Sequence, residues 1–295
     1  MIEIEEFIKF FYGINIKIIN IKMDRYLLES NFKKYQLIDY QKNPNILYEK
    51  YIVLKKNNIC CHDIILNKFG NIISEYDGRK YMLLKENVSI NKNITLFDIL
   101  NNNKVCNTNQ KINIKQKWEL KNDYYEDMIS QLSSNNKVVA GSFDYYLGLS
   151  ELAINLLNYV DFNNINCYFQ HDRIKYNYTL EKFYNPIYIV LDSKIRDFVT
   201  YIKSAFFNDL LIEIDELFNK NIFNNNEIIY LIARLLYPDY YFDAIDEIVN
   251  NNLNNTNLEE YIKKSSLYED YIKKIYKYLN QHYLVPKIEF LVKQC

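Results

Sequence analysis

Glycine is scarce in this chain. There are five in 295 residues, and Gly13 is the only one before residue 70. No Gly-x-Gly-x-x-Gly turn, Gly-Lys-Ser/Thr phosphate loop or Gly-x-Ser-x-Gly elbow can be written from them, which removes the dinucleotide, P-loop and hydrolase readings. Cysteine is also sparse, and its number is odd. Five residues, with Cys60 and Cys61 adjacent, do not make a disulfide framework and suit a reducing compartment, so a cytoplasmic protein is expected. His62 follows that pair, yet no second pair stands at ligand spacing, and a structural zinc site needs about four ligands. No apolar run approaches the roughly 20 residues of a membrane span. The opening "MIEIEEFIKFFYGINIKIIN" starts acidic and reads as a poor signal peptide. An excess of charge of one sign is missing too. Lys+Arg number 36 and Asp+Glu 37, a net charge of −1, so neither a nucleic acid nor a membrane is expected as partner.

What remains is a globular composition, 49% hydrophobic and 25% charged, in a chain long enough to bury a large core as one domain or two lobes. The 29 tyrosines read as core and boundary residues within an Ile-, Asn-, Lys- and Tyr-rich compositional bias. Asn-rich stretches such as "IFNNNE" and "VNNNLNNTN" mark loops.

Residues 14–40 contain three short apolar stretches, "INIKIINIKM", "DRYLLES" and "KYQLIDY", with strand character. In "NILYEKYIVLKKNN" the spacing of Ile46, Leu47, Tyr51 and Leu54 is helical. The run "HDIILNKFGNIISEYDGRKYMLLKE" holds three more apolar pieces, and Asp77-Gly78 predicts a two-residue hairpin. A small α+β lobe over 1–86 follows. Residues 87–117 are polar and Asn-rich, a hinge or insertion, and 118–295 read as a helical lobe. Its clearest helix is 142–160, with Ser142 as N-cap and Leu149, Leu152, Ala153, Leu156, Leu157 and Val160 on one face. Two strand-like pieces then precede a helix starting near Ser193, striped by Ile195, Val199, Ile202 and Phe206. No internal repeat is present.

"FGNIISEYDGRKYMLLK" resembles the fourth and fifth strands of aminoglycoside-phosphotransferase-like proteins. "QHDRI…LDSKIRDFVTYIK", "ARLLYPDYYFDAI" and the closing "YEDYIKKIYKYLNQHYLVPKIEFL" are similar to segments of the spore-coat-associated CotS/YutH group of that superfamily. The resemblance implies an α+β, two-lobed protein-kinase-like fold. Such a site positions ATP with a third-strand lysine, a catalytic-loop Asp, a downstream Asn and an Asp on Mg²⁺.

By that resemblance His171 is the structural histidine of the catalytic loop, and Arg173 stands where the catalytic Asp belongs. Asp172 is one place off and is the remaining catalytic candidate. Asn177 falls one residue short of the Asn position and Asn185 seven beyond it. Lys33 and Lys34 lie only at the start of the third strand, and Glu49 reads as a solvated helix residue. Asp192 has two readings: a Mg²⁺ ligand, or a carboxylate that caps the next helix or pairs with Arg173. Asp197 resembles the aspartate that buttresses the loop. Together His171, Arg173, Asp192 and Asp197 form the expected ligand-binding cleft set, with an Arg173 pair to Asp192 or Asp197. Arg196 and Lys203 are expected on a solvated helix face. With so much of the phosphotransfer set replaced, the resemblance implies a pseudokinase-like binding or assembly protein, with an unidentified protein or small-molecule partner and a spore-coat association if the organism sporulates. The alternative is an active small-molecule phosphotransferase using ATP and Mg²⁺.

Overall fold

The computed structural model describes residues 4–22, 25–87, 92–101, 105, 114–218, 223–251 and 256–292. About half of the expected hinge at 87–117 (residues 88–91, 102–104 and 106–113) therefore lies outside the described residues. The chain divides into two compact units. One is Met1–Asp98 with His171–Val190, and the other is Ile99–Gln170 with Leu191–Cys295. The stretch 171–190 thus returns to the first unit from deep within the helical half of the sequence.

In the first unit, helix α1 (Ile4–Tyr12) precedes strands β1 (Lys17–Lys22), β2 (Arg25–Ser30) and β3 (Lys33–Asp39), then helix α2 (Pro44–Lys56) and strands β4 (Asp63–Ile65), β5 (Ser74–Tyr76) and β6 (Arg79–Lys85). The strands form one antiparallel sheet in the order β1-β2-β3-β6-β4, with β5 paired to β6. Tyr76 pairs with Arg79 across Asp77-Gly78, both at positive φ, as a primed two-residue turn requires. Asn43 caps α2 by accepting the Asn45 N–H at 3.0 Å, with Pro44 opening the helix.

Side-chain alternation sends successive residues of the central strands to opposite faces. Tyr35, Leu37, Tyr81 and Leu83 pack with Phe7, Ile8 and Tyr12 of α1. Ile38, Met82 and Leu84 pack with Leu47 of α2. Helix α1 was not anticipated, although Phe7, Ile8 and Phe11 carry a helical period.

Helix α3 (Leu96–Asn101) leads to α4 (Ile114–Asn135) and α5 (Lys137–Leu156). The expected N-cap at Ser142 is corrected. Helix α5 starts five residues earlier, where Asn136 accepts the N–H groups of Val138 and Val139 at 3.1 and 3.2 Å. Ser142 is buried mid-helix, where its hydroxyl donates to the Val138 carbonyl and meets the Tyr241 hydroxyl. Strands β7 (Tyr168–His171) and β8 (Ile189–Asp192) form a two-stranded sheet, with the short α6 (Leu180–Phe183) between them in sequence. The remaining helices are α7 (Ile195–Phe207), α8 (Ile214–Phe218), α9 (Asn225–Leu236), α10 (Asp239–Asn251), α11 (Thr256–His282) and α12 (Glu289–Val292). Helix α9 is buried from Glu227 to Leu236 and opens with an Asn224–Glu227 capping box. Aromatic stacks fill the core of this unit: Trp118 on Tyr237, Tyr125 on Phe242 and Tyr146 on Tyr241. Among the described residues, no helix is long and apolar enough to cross a membrane.

Candidate functional site

The expected site residues fall in both units. His171, Asp172 and Arg173 belong to the first unit, and Asp192 and Asp197 to the second.

In the first unit His171 is buried and stacks on Phe183, and its Nε2 donates to the Phe183 carbonyl at 2.8 Å. It holds the backbone of its own segment, a structural task. Asp172 and Arg173 are exposed, and the Asp172 N–H donates to the Tyr188 carbonyl at 2.8 Å. Asn177 is exposed. Asn185 is buried in the turn before β8, where its Oδ1 accepts the Ile187 N–H at 3.0 Å.

Lys33 and Lys34 are exposed at the start of β3, and Glu49 is exposed on α2. Lys50, the next residue of α2, instead donates to the carbonyls of Ile189 at 2.6 Å and Ile187 at 3.4 Å. Burial lowers its ammonium pKa to about 8, against the opposing charge of Asp172.

The middle of β3 carries a buried polar network that the sequence did not announce. Gln36 lies on the α2-facing side with Ile38, and across the strand pair Arg25 stands opposite Ile38. Arg25 is 4% exposed and Gln36 0%. The Arg25 guanidinium donates to Gln36 Oε1 at 3.0 Å, Glu181 Oε1 at 3.2 Å and the Tyr188 hydroxyl at 3.4 Å. Gln36 Nε2 donates to Glu181 Oε1 at 2.6 Å and Glu86 Oε1 at 2.9 Å. His62 is buried beneath it. Its Nε2 donates to the Glu181 carbonyl at 2.8 Å and its Nδ1 accepts the Asn87 N–H at 3.3 Å. Burial lowers the His62 pKa, in keeping with a neutral ring that donates at one nitrogen and accepts at the other. Among the described residues, no group of three or more His, Cys, Asp or Glu side chains is arranged to hold a metal, and His62 serves the backbone of α6.

In the second unit Asp192 is 4% exposed. Its Oδ2 accepts from Arg234 at 2.7 Å and Arg196 at 2.9 Å, and its Oδ1 accepts from the Ser193 N–H at 2.7 Å and the Tyr230 hydroxyl at 3.4 Å. Burial opposes ionisation of this carboxyl, but the charges of Arg234 and Arg196 prevail and hold its pKa below the ordinary value. Arg234 in turn lies over the Tyr230 ring, 4.9 Å from its centroid. Both oxygens of Asp192 have donors and its charge is met by two guanidinium groups, a donor set that does not fit Mg²⁺. Ser193, not Asp192, supplies the side-chain acceptor at the start of α7, taking the Ile195 N–H at 3.2 Å. Asp197 is buried, and its N–H donates to Gln170 Oε1 at 3.1 Å, tying α7 to β7.

The solvated face expected for Arg196 and Lys203 is corrected. Arg196, in the first turn of α7, closes on Asp192 at the end of β8, and Lys203 is buried with its amine on the Tyr237 carbonyl at 2.6 Å and Asp239 at 2.7 Å. Arg25, Gln36, Glu181 and Arg234 were missed as interacting residues. The strand alternation that puts Arg25 and Gln36 on one face was readable, while their meeting with Glu181 was not.

No curated protein sequence matches the chain. Among solved structures, an aminoglycoside phosphotransferase from Alicyclobacillus acidocaldarius is similar with a TM-score of 0.64 at 8% identity, covering 92% of this chain and 94% of its own. Spectinomycin phosphotransferase bound to AMP gives 0.59 at 15% identity, covering 88% and 93%. Choline kinase LicA from Streptococcus pneumoniae gives 0.54 at 10% identity, covering 90% and 98%. These likenesses carry the fold: α+β, two-lobed and protein-kinase-like. A family model spans residues 5–275, and the chain belongs to the family it describes, "Spore coat putative kinase YutH".

Proposed function

We propose that this chain is a non-catalytic, pseudokinase-like member of its family, with a binding or assembly role and an association with the spore coat where the organism sporulates. The observation that carries this reading is the state of Asp192, whose carboxylate is neutralised by Arg196 and Arg234 at 2.9 and 2.7 Å. A metal-binding carboxylate has to offer charge to the cation, and this one has spent its own. Arg173 at the catalytic Asp position and a buried Gln36 in the middle of β3 point the same way. Each lost partner of the transferring phosphoryl group typically costs a few kcal/mol of transition-state stabilisation, about 3 kcal/mol for a single donor. The second reading, an ATP- and Mg²⁺-dependent small-molecule phosphotransferase with Asp172 as base, draws on the exposure of Asp172.

The test is the thermal midpoint with and without millimolar Mg²⁺-ATP. A ligand at 100 times its Kd stabilises by about 2.7 kcal/mol. That corresponds to a rise of roughly 4–5 °C in a protein of this size. No shift is expected. A rise of that order, abolished by Asp192→Asn, would replace the first reading with the second.

A further inference from the structure

One oxygen of Glu181 receives two buried donors, Gln36 Nε2 at 2.6 Å and the Arg25 guanidinium at 3.2 Å. Arg25 is 4% exposed, and a guanidinium so far from water needs an anion beside it. One such anion is Glu181, which lies 156 residues beyond Arg25. The place matters as much as the pair. A kinase holds nucleotide phosphate with a lysine on β3 that also meets a glutamate of the following helix, so its side chain must face that helix. Gln36 is the mid-strand residue of β3 on the face packed against α2, and Glu181 covers it.

We infer that Arg25 and Gln36 form an oxyanion site, suited to a carboxylate or phosphate group, which the chain fills with its own Glu181. The inference rests on the non-catalytic reading and deepens it: the β3 position where a kinase holds phosphate is occupied internally. The segment bearing Glu181 has anchors that do not involve its carboxylate. The Ile94 N–H donates to the Tyr178 carbonyl at 2.7 Å, the Leu180 N–H to the Lys92 carbonyl at 2.9 Å and the His62 N–H to the Tyr184 carbonyl at 2.8 Å. Lys50 holds the carbonyls of Ile187 and Ile189 at the other end. Removing the carboxylate therefore leaves a shaped space with Arg25 at its wall.

The experiment is chemical rescue. Glu181→Ala is expected to lower the thermal midpoint by roughly 5–10 °C, as loss of a buried charge partner does. Formate, acetate or inorganic phosphate should restore it saturably, whereas chloride at equal ionic strength should not. The wild type should not respond, and Glu181→Ala with Arg25→Met should lose the rescue. Rescue by formate and acetate alone marks a carboxylate site, and rescue by phosphate or ADP as well marks one that admits nucleotide phosphate. An unchanged midpoint in Glu181→Ala, or no rescue by any oxyanion, overturns the proposal. If the alanine variant does not fold, Glu181→Gln keeps the shape without the charge, and a wild-type midpoint in that variant overturns it equally. The two readings fail separately. Wild-type binding and turnover of Mg²⁺-ATP removes the non-catalytic reading whatever the variant does, and an unrescued variant of a wild type that ignores nucleotide removes only the internal ligand.

Discussion

At Asp192, Arg196 and Arg234 share one carboxylate oxygen. Arg234 reaches it from α9, where its side chain is 9% exposed. Removing the acid strands that charge, and Asp192→Asn is expected to cost about 3–5 kcal/mol in urea unfolding. Asp192→Leu combined with Arg234→Met should recover most of the loss, since the buried guanidinium goes with its partner and the Arg196 side chain, 21% exposed, can turn to water. A double variant as unstable as the single one would show that packing, not charge, holds the site. Lys50 makes the reverse statement about pH. Its folded pKa of about 8 lies below the unfolded 10.5. Between those values the folded state has released a proton that the unfolded chain still binds, so its contribution to stability rises with pH. Below pH 8 both states carry the charge, and the cost of burying it is felt in full. Unfolding measured from pH 7.5 to 10 should give the wild type a more positive slope with pH than Lys50→Met, and equal slopes would refute the assignment. Cys61 and the buried tyrosines, whose pKa values burial raises, pull stability down alike in both.

Among the elements, the β2–β3 and β5–β6 hairpin turns of the first unit differ in how well their residues suit them. Asp77-Gly78 has the residues that positive φ favours, and the sequence announced it. The β2–β3 turn adopts the same hand with Asn31 at φ 48 and Phe32 at φ 60. Phe32 is fully exposed, so no packing offsets its strain. Phe32→Gly should therefore raise stability by about 1 kcal/mol, read as a shift in urea midpoint at unchanged m-value. A loss of stability would mean that the ring packs in solution. The strands around both turns were legible because apolar alternation is a local property. The start of α5 was not, because its opening residues include β-branched Val138 and Val139 and then Gly141, all of low helix propensity, although Val139 is already buried. Ser142 has the chemistry of a cap, but at that point the helix is already under way, and its hydroxyl bonds back to Val138.

For the molecule as a whole, composition, period and turn chemistry were enough to indicate a strand-rich first part and a helical second one. They could do so because each signal is carried by neighbours along the chain, through the 3.6-residue and 2-residue repeats of side-chain direction. The Asp192–Arg196 pair belongs in part to this class, as residues four apart in sequence that join the end of β8 to the first turn of α7. The sequence by itself also showed that Gly13 is the only glycine before residue 70 and that Arg173 stands two places after His171. Tertiary structure alone decided which charges meet. Arg234 is 42 residues from Asp192 and Glu181 is 156 from Arg25. No local period relates such positions. Their pairing follows from the burial of α9 and from the return of 171–190 to the first unit, where removal from water makes an unmatched charge costly and so fixes its partner.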